Sequence, residues 1–157
     1  MVNSVGKKYA EASRAYLAGL FDADGAIMAC IEYHPEKKYR FRVRMFVKIA
    51  QKNQEILQEL HQELGWGSIR LNRRVYEYDI RDQVQIHDFI HLIQPYCRVK
   101  KRQLAIALEI LGHPITNKDD LVQVAQLADS LSGYNVRSLG RRKNYTAKIQ
   151  AYFSSND

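Results

Sequence analysis

The chain has 157 residues and a mass of 18.3 kDa, enough for one domain with a sizeable core, and is 46% hydrophobic and 26% charged. Disorder, collagen and coiled coil are thereby excluded as whole-chain descriptions. Lysine and arginine number 24 against 17 acidic residues, giving a formal charge of +7, a balance that suggests nucleic acid or an anionic surface as partner. Two cysteines, Cys30 and Cys97, are too few for a disulfide framework and form no CxxC pair for zinc. They read as small apolar side chains of a reduced protein. Residues 1–8 contain no apolar run, and the longest apolar stretches, such as 104–111, fall far short of the roughly 20 residues of a membrane span. An intracellular, soluble protein with no membrane partner is expected.

Residues 1–10 read as a short arm, and 11–21 as a helix. Leu17, Leu20 and Phe21 share one helical face, while Ala15, Ala18, Gly19 and Asp22 form a second stripe of mostly small residues. The bulky face suits a core, and the small face suits close approach of another helix. Gly25 ends this helix. A strand is expected over 26–33, a turn at 34–38 around Pro35, and the clearest strand of the chain over 39–50. There Phe41, Val43, Met45, Val47 and Ile49 alternate with Arg40, Arg42, Arg44, Phe46 and Lys48. A second helix starts at Asn53 or Gln54, carries Ile56, Leu57, Leu60 and Leu64 on one face, and closes at Gly65. A hairpin follows over 67–71 and 75–80, then helices over 83–93, 99–111 and 118–131, the last capped by Asn117. After Ser132-Gly133 the composition turns basic, with Arg137, Arg141, Arg142, Lys143 and Lys148, and a short helix is expected over 146–153. The order αββαββααα fits an α+β fold, a four-stranded antiparallel sheet with helices on one face. With no internal repeat or linker, residues 1–157 read as one domain with a basic tail from about 135.

Like charges on one sheet face repel, so Arg40, Arg42, Arg44 and Lys48 together call for an anion. A two-stranded ribbon fits the DNA major groove, where arginine reads guanine bidentately. Met28, Cys30, Glu32, His34, Phe46, Arg70, Asn72, Glu77, Asp79 and Arg81 complete the expected DNA-binding face, and its mix of donors and acceptors suits base edges. Arg98 and Lys101, within Arg98-Val99-Lys100-Lys101-Arg102, add a phosphate-binding cluster. Asp22 and Asp24 lie at the C-terminal end of the first helix, where the dipole disfavours anions. A hard cation held by oxygen ligands would remove that conflict. His87 and His91 stand i, i+4 on one helix, a spacing able to hold a metal, but no carboxylate-plus-His pattern accompanies them, and the five histidines read as core or surface residues.

The nine residues Leu17-Ala18-Gly19-Leu20-Phe21-Asp22-Ala23-Asp24-Gly25 resemble the signature of the LAGLIDADG homing endonucleases, with Phe21 in place of isoleucine. The helix and ribbon order over about residues 10–135 resembles one unit of that family. The resemblance implies motif helices packed side by side in a homodimer, here through Ala15, Ala18, Gly19 and Asp22, with saddle-shaped sheets straddling double-stranded DNA. One motif per chain then implies a pseudo-palindromic target. The resemblance assigns metal binding to the Asp24 carboxylate and the Ala23 carbonyl. It makes Asp24, Gln51 and Lys100 the catalytic residues of a metal-dependent phosphodiester hydrolysis. It implies Mg2+, with Mn2+ as a substitute and Ca2+ supporting binding without cleavage. Asp22 reads better as a helix-end structural residue than as a direct participant. Where one subfamily carries an arginine this chain has Glu55, a departure that Lys52 or Lys101 would have to balance. The alternative is a non-cleaving RNA maturase or DNA-binding regulator on the same scaffold, with RNA as partner only in that case.

Overall fold

The computed structural model describes residues 9–136 and 138–156. Seen in chain order, the elements are α1 (Glu11–Asp24), β1 (Gly25–Tyr33), β2 (Phe41–Gln51), α2 (Gln54–Leu64), β3 (Ser68–Asn72), β4 (Val75–Ile80), α3 (Gln83–Ile93), α4 (Lys101–Leu111), α5 (Lys118–Asn135), a 3-10 turn (Leu139–Arg141) and α6 (Tyr145–Asn156). The four strands form one sheet in the order β1-β2-β4-β3, with β4 antiparallel to both β2 and β3. This is the expected α+β arrangement and element order.

Two compact units make up the chain: Met1–Ile27 with Phe46–Leu104, and Met28–Met45 with Ala105–Asp157. In the first, α1 packs on α3, and α2 packs on β3 and β4. Its core includes Leu17, Phe21, Val47, Ile49, Leu57, Tyr78, Ile80, Ile86, Phe89, Ile90 and Ile93, all buried. Phe21 meets Phe89 edge to face, with ring centroids 5.6 Å apart. In the second unit α5 packs on α6, and Ile31, Met45, Ala107, Leu121, Val124, Ala128, Leu131 and Ile149 are buried.

Helix ends follow local chemistry. Asn53, Asp82 and Asn117 each accept a backbone N–H of the first turn they precede, and Gly65 adopts a left-handed conformation, φ 77°, that ends α2. Gly25 serves a different need. A Cβ there would lie 2.2 Å from the Phe21 ring, so only glycine lets β1 leave α1 beside that buried side chain.

Four expectations are corrected. Ala18 is fully buried within the chain, on the Leu17 and Phe21 side of α1, so it is core and not part of an exposed small-residue stripe. Its backbone carbonyl lies 3.8 Å from the buried Cys97 thiol. The exposed positions are Ala12, Ala15, Gly19 and Ala23, interrupted by the 64% exposed Tyr16. Arg40 precedes β2 with φ 65°, closing the turn by donating from its guanidinium to the Pro35 carbonyl, so it is not in the strand's polar row. Helix α5 continues through Ser132-Gly133 to Asn135, because buried Leu131 and Ser132 hold its last turn in the interior. Strand β2 ends at Gln51, one residue beyond the expected boundary.

Most of the N-terminal arm, and Arg137 of the basic tail, lie outside the described residues. Among the described residues no helix is long and apolar enough to cross a membrane.

Candidate active site and nucleic-acid face

The end of α1 collects the residues that the sequence singled out as chemical. Asp22 turns its carboxylate to a distant segment: Oδ2 accepts the backbone N–H of Arg98 at 2.7 Å and of Val99 at 3.2 Å, and Oδ1 accepts that of Lys100 at 3.1 Å. Those three donors precede α4, so Asp22 caps the approach to a helix more than 70 residues downstream. Partial burial raises the Asp22 carboxyl, but the N–H groups of Arg98, Lys100 and Val99 more than offset it and hold the group below the usual range. The structural reading of Asp22 is the one the geometry supports, and its carboxylate is committed within its own chain.

Lys100 approaches the same helix end. Its Nζ donates to the Phe21 carbonyl at 3.2 Å and to the Gly25 carbonyl, and it stands 5.4 Å from the centroid of the Phe21 ring. A cation is what the carbonyl end of a helix prefers. Desolvation lowers the Lys100 pKa, and the Asp22 and Asp24 carboxylates oppose that shift.

Asp24 ends α1 exposed, as does Ala23 beside it. Gln51, the last residue of β2, donates from Nε2 to Asp24 Oδ2 at 2.6 Å. The structure thus gathers Asp24, Gln51 and Lys100 around one helix terminus. The lysine bridges the Phe21 and Gly25 carbonyls on either side of the helix end, and the Asp24 carboxylate faces solvent with an amide donor at one oxygen. Arg98 and Lys101 are exposed beside Lys100 along the chain. Glu55 is exposed in the first turn of α2, where an acid complements the helix dipole.

On the sheet, the polar row is less one-sided than its sequence implies. In the second unit Glu32 Oε1 lies 3.3 Å from Arg44 Nη2 and also accepts from Arg42. Those bonds, Arg42 first, hold the Glu32 carboxyl below its usual range. In the first unit the register sets Lys48 opposite Asp79 and Arg70 opposite Glu77. Arg70 Nε reaches Asp79 Oδ2 at 2.9 Å and Nη2 reaches Glu77 Oε2 at 3.2 Å, while Lys48 Nζ is 3.4 Å from Glu77. Asn72 donates to Glu77, and Arg81 lies 3.7 Å from Asp79 and over the Phe46 ring. Three cations thus share two carboxylates there, and Arg42 and Arg44 share one. The repulsion expected from a purely basic row is relieved internally, and a surplus of positive charge remains. Asp79 is 3% exposed, and its Oδ1 accepts no hydrogen bond from the described residues.

Met28, Cys30 and Glu32 alternate on β1 with buried Ile27 and Ile31, as expected. Cys30, however, lies within hydrogen-bonding reach of the Tyr145 hydroxyl of α6. His34 follows β1, half-buried, and closes the turn by donating its backbone N–H to Arg40. Sequence reasoning missed the Asp22 cap, because no local signal announces an acceptor whose donors lie 76 to 78 residues away. It also missed the ion pairs of Glu32, Glu77 and Asp79, which alternation within each strand makes legible once the strand register is known.

Comparison with known proteins places the chain in a family. A family model described as LAGLIDADG endonuclease matches residues 17–110, more than half of the chain. The chain belongs to the LAGLIDADG endonuclease family. It is 28% identical over 153 residues to DNA endonuclease I-CreI of Chlamydomonas reinhardtii, covering 94% of this chain and 93% of that protein. It is 29% identical over 122 residues to DNA endonuclease I-CvuI of Chlorella vulgaris, covering 74% and 76%. A crystal structure of I-CvuI with the I-CreI target in 2 mM Mg, its DNA not cleaved, superposes with a TM-score of 0.81 at 25% identity, over 92% of this chain and 94% of that one. The archaeal intron-encoded homing endonuclease I-Vdi141I in complex with DNA shares the fold, with a TM-score of 0.77 at 21% identity over 90% and 97%. In this chain the second aspartate of the nine-residue string, Asp24, accepts a hydrogen bond from Gln51.

Proposed function

We propose that the chain is a homing-type DNA endonuclease that binds a long pseudo-palindromic duplex as a homodimer and hydrolyses one phosphodiester bond in each strand. The observation that carries this reading is the exposed Asp24 carboxylate at the negative end of α1, with Gln51 donating to it and Lys100 beside it. A helix end rich in negative potential is a poor place for an unpaired acid and a good one for a divalent cation. The donor set fits one. The Asp24 carboxylate, the Ala23 carbonyl and the Gln51 amide oxygen are hard ligands suited to Mg2+ or Mn2+. Among the described residues no group of three or more His, Cys, Asp or Glu is placed to cage an ion. That suits Mg2+, which keeps waters and takes phosphate oxygens in place of a full protein shell. Such an ion would polarise the scissile phosphate and favour ionisation of an attacking water.

The chain's own residues do the rest. Gln51 fixes the rotamer of Asp24 and offers an amide to orient water. Lys100, held on the Phe21 and Gly25 carbonyls, places a cation where charge develops on phosphate oxygens. Arg98 and Lys101 supply phosphate contacts that position the duplex. Arg44 and Arg70 present guanidiniums pre-oriented by Glu32, Glu77 and Asp79, the geometry needed for bidentate contact with guanine. Asp79, itself buried, acts through the cations around it, holding Arg70 and Arg81 in place. The exposed small residues Ala12, Ala15, Gly19 and Ala23 of α1 supply the face on which two protomers pack.

A supercoiled plasmid carrying the uninterrupted DNA that flanks this reading frame tests the proposal. Linearisation in Mg2+, suppressed by EDTA, supports it. Tight sequence-specific binding without linearisation favours the regulator or maturase alternative.

A further inference from the structure

We propose that His87 and His91 of α3 form a second metal site, selective for late transition ions such as Ni2+, Cu2+ or Zn2+ and chemically distinct from the oxygen-donor site at Asp24. The two Nε2 atoms are 3.1 Å apart, with ring centroids 4.4 Å apart and rings inclined by 61°. With metal–nitrogen bonds of about 2.05 Å, that separation corresponds to a nitrogen–metal–nitrogen angle of about 100°, between octahedral and tetrahedral values. One helical turn therefore brings both nitrogens within the span of a two-nitrogen chelate. His87 is 48% exposed, leaving room for waters to complete the shell.

The surroundings suit a cation. Asp88 Oδ1 lies 3.6 Å from His87 Nδ1, a negative charge beside the pair. His91 sits in the last turn of α3, where the dipole favours positive charge. Burial lowers the His91 pKa, with His87 reinforcing and Asp88 opposing. In the metal-free arrangement one Nε2 must donate to the other; a bound ion replaces that proton bridge. Imidazole pairs prefer Zn2+, Ni2+ and Cu2+ over Mg2+ and Ca2+. A site here also has a structural readout. Arg14 of α1 donates to the His91 carbonyl at 3.2 Å and to the Leu92 carbonyl at 3.0 Å, so α3 ties down the motif helix at the turn an ion would clip.

The test uses the untagged full chain on immobilised Ni2+. Retention until imidazole is added is expected for the parent chain and for Asp24→Asn. Early elution is expected for His87→Gln and for His91→Gln, since each leaves one nitrogen. Unchanged retention of both histidine variants, or no retention of the parent, overturns the proposal. Electron paramagnetic resonance of the parent chain with one equivalent of Cu2+ tests it without any variant. Coupling to two equivalent imidazole nitrogens supports the chelate, and coupling to one or none contradicts it.

Discussion

Gln51 Nε2 lies 2.6 Å from Asp24 Oδ2, tying the last residue of β2 to the last residue of α1. A glutamine there orients the carboxylate without neutralising it, which a lysine would do. Gln51→Ala should therefore lower single-turnover cleavage roughly 10- to 100-fold, the usual cost of removing a partner that orients a metal ligand. Duplex affinity in Ca2+ should be unchanged. Gel shifts and quench-flow cleavage on the same duplex separate the two; an unaltered rate assigns Gln51 no part in the site.

Asp22 should behave as a stability residue. Asp22→Ala leaves the N–H groups of Arg98, Val99 and Lys100 without their acceptor, at a cost of about 1–2 kcal/mol in this half-buried position. The folded carboxyl is held below the ordinary aspartate value of 3.8. As pH falls the unfolded chain takes up the proton first, so the contribution is complete well above pH 4 and is lost as pH drops through the lowered value. Urea melts of parent and variant should differ at pH 7, and the gap should narrow as pH falls below the ordinary carboxylate range. A gap that persists at the lower pH contradicts the assignment.

Two adjacent residues of the motif should separate folding from assembly. A Cβ at Gly19 meets nothing within 4 Å in the protomer, whereas Ala18 is fully buried. Gly19→Leu should keep the melting profile of an isolated protomer but yield monomers by light scattering. Ala18→Leu should overpack the core and cost about 1–3 kcal/mol whatever the oligomeric state. Dimers of Gly19→Leu would place the interface elsewhere.

The pattern of these residues shows what a single sequence discloses. The alternation in β2 and the caps Asn117 and Gly65 are local signals, and they predicted their elements to within a few residues. The faces of α1 were harder. Ala18 and Gly19 are equally small, and only the docking of α1 on α3 decides which is covered. Arg40 continues the alternation of β2 in sequence, but its left-handed backbone breaks it in space. The partners of Asp22, Arg70 and Asp79 depend on tertiary approach or strand register, for which composition and period carry no signal.

Arg44 should read sequence and Lys101 should not. Arg44→Ala should change which base is preferred at one position of each half-site, with about 1–3 kcal/mol of discrimination lost there. Lys101→Ala should weaken all sequences alike and reduce the salt slope by about one unit. Cleavage profiling of a randomised target library at fixed salt distinguishes them. Uniform loss for Arg44→Ala would make it a backbone anchor.

The central claim is that Asp24 holds the ion that makes this fold a nuclease. Its most direct measurement compares the parent chain with Asp24→Asn on one duplex carrying the uninterrupted insertion site, reading cleavage in Mg2+ and binding in Ca2+. The asparagine keeps the size and the Gln51 contact but removes the charge that a divalent cation needs. Cleavage by the parent, none by the variant, and duplex binding by both are expected. Cleavage retained by Asp24→Asn at ordinary Mg2+ would contradict it.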